Sequence, residues 1–233
     1  MSYQGSVGNY CVDIVMCIDA TGSMSPILNE VKANALSFYE LFEEAMEDQQ
    51  KTVDRLRLKV IAFRDYIIDS EPMKESRFFN LPEEAADFRR FVDSIEASGG
   101  GDTPECALEA IARAMRSDWT TDGEKQRHVI LVFTDAPAVP LGVRADCPGY
   151  PADMPKDLPT LGAWWEGTDQ EFSGNYRVSA GRLVAFVPNA EPWTAMETWN
   201  RYWPAYSEAG RGLSEVDMAA AIDLLVGSMG KAV

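Results

Sequence analysis

Four short apolar runs, Val12–Ile18, Leu58–Phe63, Val129–Phe133 and Leu183–Val187, constrain the fold of this chain more than any other feature. Each is near-continuous rather than alternating and rich in Val and Ile, the pattern of strands buried on both faces of a parallel sheet. Between them, apolar residues recur three and four apart. One set is Leu28, Val31, Ala35, Phe38, Phe42 and Ala45; the next is Phe88, Phe91, Val92 and Ile95; a third is Ala107, Ile111, Ala114 and Met115. That period belongs to amphipathic helices. A closing helix is predicted from Glu215 to Met229. Ser25-Pro26 and Thr103-Pro104 each read as a hydroxyl N-cap followed by a proline in the first turn. Strands alternating with helices predict an α/β, three-layer, doubly wound (Rossmann-like) fold, with a mostly parallel central sheet and helices on both faces. With no internal repeat and no second boundary, residues 1–233 read as one domain.

Several function classes fall away on composition. The 21 Lys+Arg against 37 Asp+Glu leave a net charge of −16, which argues against nucleic acid or anionic membranes as partners. No apolar run approaches the roughly 20 residues of a membrane span. The stretch Met1–Asn9 lacks a basic region followed by an apolar one, so a cytoplasmic location is expected. Cys11, Cys17, Cys106 and Cys147 show no C-x-x-C spacing and read as reduced thiols. The single histidine, His128, opens a strand and has neither triad nor H-E-x-x-H spacing around it.

One stretch breaks the alternation. Six of the thirteen prolines lie between Pro137 and Pro159, which predicts an irregular insertion over about residues 137–171, near the carboxyl ends of the strands. Five of the six tryptophans come after Pro159 (Trp164, Trp165, Trp193, Trp199, Trp203), as core filling around the insertion or as an aromatic contact surface.

In open α/β sheets, ligands bind beyond the carboxyl ends of the strands. There the first run ends in Asp19-Ala20-Thr21-Gly22-Ser23-Met24, the second in Arg64-Asp65, and the third in Thr134-Asp135. Carboxylates gathered at one edge repel unless compensated, usually by a cation. Asp, Ser and Thr are hard oxygen donors that suit Mg²⁺ or Mn²⁺, with Ca²⁺ also possible. Gly22 permits the tight turn between Thr21 and Ser23. A second glycine-rich turn, Gly99-Gly100-Gly101-Asp102-Thr103-Pro104-Glu105, precedes a helical pattern.

The ordered set Asp19-x-Thr21-x-Ser23, Thr103, Asp135 resembles the metal-ion-dependent adhesion site of the von Willebrand factor A domain, and looks most like the family's intracellular and bacterial branches. The resemblance implies that Ser23, Thr21 and Thr103 offer hydroxyls to a divalent cation. It implies that Asp19 and Asp135 balance its charge directly or through water. An open coordination position would take a Glu or Asp carboxylate from a partner protein. Asp102 is expected as a loop or outer residue, and Asp65 as a rim contact. By the same analogy the last helix would shift when the open position is filled.

The leading expectation is therefore a non-enzymatic, metal-dependent protein-interaction module within a multiprotein system. One alternative is a Mg²⁺-dependent phosphotransferase or phosphohydrolase with Asp19 as nucleophile. That chemistry asks for a second Asp two residues on, where this chain has Thr21. The other alternative is a scaffold subunit that does not depend on metal.

Overall fold

The computed structural model describes residues 9–99 and 104–229. Within them the strands are β1 (Tyr10–Asp19), β2 (Val53–Phe63), β3 (Met73–Glu75), β4 (Phe79–Leu81), β5 (Lys125–Phe133), β6 (Gly181–Pro188) and β7 (Tyr202–Ser207). The α-helices are α1 (Ser25–Asn34), α2 (Phe38–Asp48), α3 (Ala85–Asp93), α4 (Ala107–Met115), α5 (Leu158–Glu166) and α6 (Met218–Met229). The sheet order is β3-β2-β1-β5-β6-β7, with β4 also paired to β2. Neighbours from β2 through β1, β5 and β6 to β7 are parallel, whereas β3 and β4 run antiparallel to β2. All four apolar runs are strands, and the fold is the mostly parallel α/β sheet expected of them.

β1 is central, and every one of its residues is buried. Val12, Ile14, Met16 and Ile18 face a core completed by Phe38, Phe42, Phe88 and Leu225 from α2, α3 and α6. Val15 and Cys17 face the opposite core, with Ile111, Leu161, Trp165 and Trp193. The polar residue within the run, Asp13, is satisfied by Arg57 Nε at 2.7 Å, Arg57 Nη2 at 2.6 Å and Thr120 N–H at 2.7 Å. A buried charge persists only with such partners.

The chain winds from β1 outward to β2 on one side and later returns to β5 on the other. The crevice between the ends of β1 and β5 is therefore the topological switch point, the usual ligand position of such sheets. Asp19 pairs in register with Phe63, and Ile18 with Phe133, so Asp19 and the Thr134-Asp135 pair stand at one height beside that crevice.

Several local readings are corrected. The pattern from Leu28 to Ala45 is two helices, α1 and α2, broken at residues 35–37. Ser25 does not cap α1 with its hydroxyl, which donates to the Gly22 carbonyl at 3.0 Å. α4 starts at Ala107 behind Cys106, three residues past Pro104, while Thr103 lies outside the described residues. α6 begins at Met218 rather than Glu215.

The proline-rich stretch is not irregular throughout. α5 opens within it, capped by the Asp157 carboxylate, which accepts the Thr160 N–H at 2.9 Å. Trp164, Trp165 and Trp193 are buried, and Trp199 and Trp203 pack against the two cores, so the tryptophans fill the interior. His128 is a buried strand residue. Its Nδ1 accepts the Arg177 N–H at 3.1 Å, which leaves Nε2 to donate to the Thr120 carbonyl at 2.9 Å. The four cysteines are free thiols.

Candidate metal centre

The turn after β1 is shaped by Asp19 itself. Its Oδ1 accepts both the Thr21 N–H at 2.9 Å and the Thr21 hydroxyl at 2.6 Å, while Oδ2 accepts the Thr134 hydroxyl at 2.8 Å. Asp135 is held in a matching way: Oδ1 accepts the Ser23 hydroxyl at 3.1 Å and Oδ2 accepts the Gly212 N–H at 2.7 Å. Two carboxylates from neighbouring strands thus grip two hydroxyls of one turn. Four of the five residues expected at the site, Asp19, Thr21, Ser23 and Asp135, are brought together. Thr103, with Asp102, lies outside the described residues.

The glycine-rich segment begins against the same turn. The Gly22 N–H donates to the Gly99 carbonyl at 3.4 Å, and the Ser98 N–H to the Ala20 carbonyl at 3.0 Å. Gly99 has a φ of +72°, and a Cβ there would collide with the Asp69 carboxylate. Asp65 is not a free rim acid. Arg144, from the insertion, reaches it through Nη2 at 2.7 Å and through Nε at 3.1 and 3.2 Å. The insertion is therefore clamped to the loop after β2. It is also joined to the segment ahead of α4: Glu105 N–H donates to the Pro137 carbonyl at 3.1 Å, and Val139 N–H to the Glu105 carbonyl at 2.8 Å.

Electrostatically the site is strained toward a positive guest. Burial, with the charge of Asp135 adding to it, pushes the Asp19 carboxyl up to about 6 against the hydrogen bonds from Thr21 and Thr134. Glu105 is pushed further, to about 8, by burial and then by the charges of Asp19, Asp65, Asp69 and Asp135. Its Oε2 is buried without a hydrogen-bond partner among the described residues. Among the described residues no three His, Cys, Asp or Glu side chains close up as a ready cage, so any ion here leans on hydroxyls as well. Carboxylate and hydroxyl oxygens, together with an orphaned buried acid, fit a hard divalent cation.

Three residues outside the sequence motif matter here: Thr134, Gly212 and Glu105. Thr134 also accepts the Ala136 N–H at 3.2 Å, so it ties the two acid-bearing segments together. Thr134→Val keeps the shape but leaves an Asp19 oxygen without a donor. We expect a loss of about 2 kcal/mol in urea unfolding without divalent ions, the usual range for a hydrogen bond to a charged group. A change below about 0.5 kcal/mol would remove Thr134 from the site's framework.

The profile of the family described as von Willebrand factor A domain matches residues 13–142. The alpha-protein kinase vwkA of Dictyostelium discoideum is 23% identical over 158 residues, covering 68% of this chain and 24% of that protein. The chain thus spans about a quarter of the length of that curated relative. Among solved structures, a von Willebrand factor type A protein from Catenulispora acidiphila superposes with a TM-score of 0.53 at 14% identity, over 97% of this chain and 44% of that one. The pilus adhesin SpaC of Lactobacillus rhamnosus GG gives a TM-score of 0.53 at 12% identity, over 94% and 30%. At such identities the structural likeness is one of fold.

Proposed function

This chain belongs to the von Willebrand factor A domain family, and from that premise we propose that it is a protein-interaction module whose docking point is a divalent cation held by Asp19, Thr21, Ser23, Thr103 and Asp135. The observation that carries this reading is the pairing of Asp19 with Thr21 and of Asp135 with Ser23 at the switch point between β1 and β5. Bound there, Mg²⁺ or Mn²⁺ would offset the two acids and present a free coordination position to a partner's Glu or Asp. Within the chain, Asp19 and Asp135 orient the hydroxyls, Thr134 and the Gly212 N–H fix the acids, and the 19–24 turn keeps Ser23 exposed.

The rim suits a protein partner. Ile67 and Ile68, 63% and 47% exposed, sit between Asp65 and Asp69, and Val143, 60% exposed, adjoins the Arg144 that clamps Asp65. These exposed aliphatic side chains, on the two segments that the Arg144–Asp65 pair joins, offer apolar area to a protein partner. Nucleophilic phosphoryl transfer finds less support, because the residue two positions after Asp19 is Thr21, already hydrogen-bonded to it. Among the described residues no helix is long and apolar enough to cross a membrane.

The test is thermal unfolding of wild type and Asp19→Ala, in EDTA and then with Mg²⁺ or Mn²⁺. An ion at about 100 times its dissociation constant stabilises the native state by about 2.7 kcal/mol, roughly 5–10 °C here. We expect that rise in the wild type alone, together with a set of proteins retained in Mg²⁺, released by EDTA and not captured by Asp19→Ala. A partner held equally by both variants in EDTA would leave the metal-independent scaffold as the better reading.

A further inference from the structure

We infer that Glu105 is a third carboxylate of the cation site, one that faces the ion across a water and strengthens its binding before any partner arrives. The inference rests on the metal reading above and adds a residue to it. Glu105 is only 3% exposed, yet its Oε2 has no hydrogen-bond partner among the described residues. Leaving a buried carboxyl oxygen unmatched costs about 1–3 kcal/mol or more, so such atoms call for an explanation.

The position is not an accident of a loose loop. The Glu105 backbone is bonded on both sides, to the Pro137 carbonyl and the Val139 N–H, in a parallel bridge with Ala138. The insertion segment it pairs with leaves directly from Asp135, so the bridge fixes Glu105 beside that acid. The charges of Asp19, Asp65, Asp69 and Asp135, all of the same sign as its own, act on its carboxyl. Of these, Asp65 already has Arg144, and Asp69 Oδ2 accepts the Asp65 N–H at 3.3 Å. Among the described residues no hydrogen bond reaches Glu105 Oε2, and a positive charge entering beside these acids would relieve their mutual repulsion. Among the described residues no three acids close into a cage, and the proposal therefore has a water between Glu105 and the ion.

The inference separates the metal-bound and metal-free states. In the metal-free chain an ionised Glu105 contributes repulsion and an orphaned oxygen; with the ion present it contributes attraction. A residue that merely packed would help in both states.

The experiment is calorimetric titration of the full chain with Mn²⁺ at pH 8, for wild type, Asp19→Ala, Glu105→Gln and Glu105→Asp, with melting temperatures of each in EDTA. We expect Glu105→Gln to bind Mn²⁺ about tenfold more weakly, a change of about 1.4 kcal/mol, while melting in EDTA no lower than wild type. Glu105→Asp, which keeps the charge, should recover part of the affinity. Unchanged Mn²⁺ binding by Glu105→Gln, while Asp19→Ala abolishes it, would overturn the role of Glu105 and leave the metal site standing. So would a fall in its EDTA melting temperature accompanied by loss of binding, since that marks a structural residue. Failure of the wild type to bind Mn²⁺ would overturn the metal reading itself, and this inference with it.

Discussion

In EDTA the wild-type chain should become less stable as pH rises from 5 to 8, and millimolar Mg²⁺ or Mn²⁺ should restore at pH 8 what was lost. Asp19 is raised from 3.8 to about 6, Glu109 from 4.5 to about 7, and Glu105 from 4.5 to about 8, each chiefly by burial. A carboxyl whose folded value lies above its unfolded one binds more protons in the native state. Stability is then greatest below the unfolded value and is lost as pH rises towards the folded one. The windows run from about 4 to 6 for Asp19, from about 4.5 to 7 for Glu109 and from about 4.5 to 8 for Glu105.

One pKa unit is about 1.4 kcal/mol, and of the Asp19 window only the last unit, from pH 5 to about 6, lies within this range, so Asp19 alone accounts for about 1.4 kcal/mol and a fall of about 3–6 °C in melting temperature. The exposed acids held low by arginine, such as Glu84 at about 2 beside Arg77, act in the opposite sense, but only below about pH 4.5. General repulsion from a charge of −16 also grows with pH, and NaCl at matched ionic strength isolates it. Asp19→Asn should remove Asp19's share of the slope and abolish rescue by the ion. A melting temperature in EDTA that is flat or rising between pH 5 and 8 would contradict the electrostatic account of the site.

Much of this was legible in the sequence because it is local or periodic. The runs beginning at Val12, Leu58, Val129 and Leu183 read as doubly buried strands, and their carboxyl ends carry the acids that the structure brings together. What escaped is short or non-local. β3 and β4 have three residues each, too few for a period to register. β7 is an edge strand with Pro204 inside it, a residue that counts against a central strand. α5 had its signals in place, Asp157 as cap, Pro159 in the first turn and Gly167 at φ +69° as the stop, but the density of prolines around it read as irregular chain.

At the site, the motif supplied the donors and not their supports. Thr134 is 115 residues from the acid it serves, and Gly212 is 77 residues from Asp135. The burial of Glu105 follows from its pairing with Ala138, which no spacing rule announces.

Gly212→Ala should disable the proposed cation site from outside the motif. Gly212 has a φ of +63°, and a Cβ built there would lie within van der Waals overlap of the Ser23 carbonyl and close to Pro26. Its N–H donates to Asp135 Oδ2, and the Gly210 N–H donates to the Asp135 carbonyl at 3.0 Å. Alanine therefore forces the 208–217 loop away from both the Ser23 turn and Asp135 at once. Backbone strain for a non-glycine residue accounts for about 1 kcal/mol; the lost donor and the displaced turn bring the expected total to roughly 2–4 kcal/mol. Mn²⁺ affinity should fall at least tenfold.

Gly210→Ala is the matched control. Gly210 has a similar φ of +73°, but an added Cβ meets nothing within 4 Å, so only the strain should remain and ion binding should persist. The same loop carries the buried Leu213 into the core and leads directly into α6, whose Met218 N–H donates to Glu30 at 3.4 Å. Displacing it should also speed hydrogen exchange in α6, coupling the Ser23 turn and Asp135 to the last helix through a continuous run of contacts. Urea unfolding, Mn²⁺ titration and exchange on the two variants decide the matter. If Gly212→Ala behaves like Gly210→Ala in all three, the Ser23 turn and Asp135 do not depend on this loop, and the proposed link to α6 is lost.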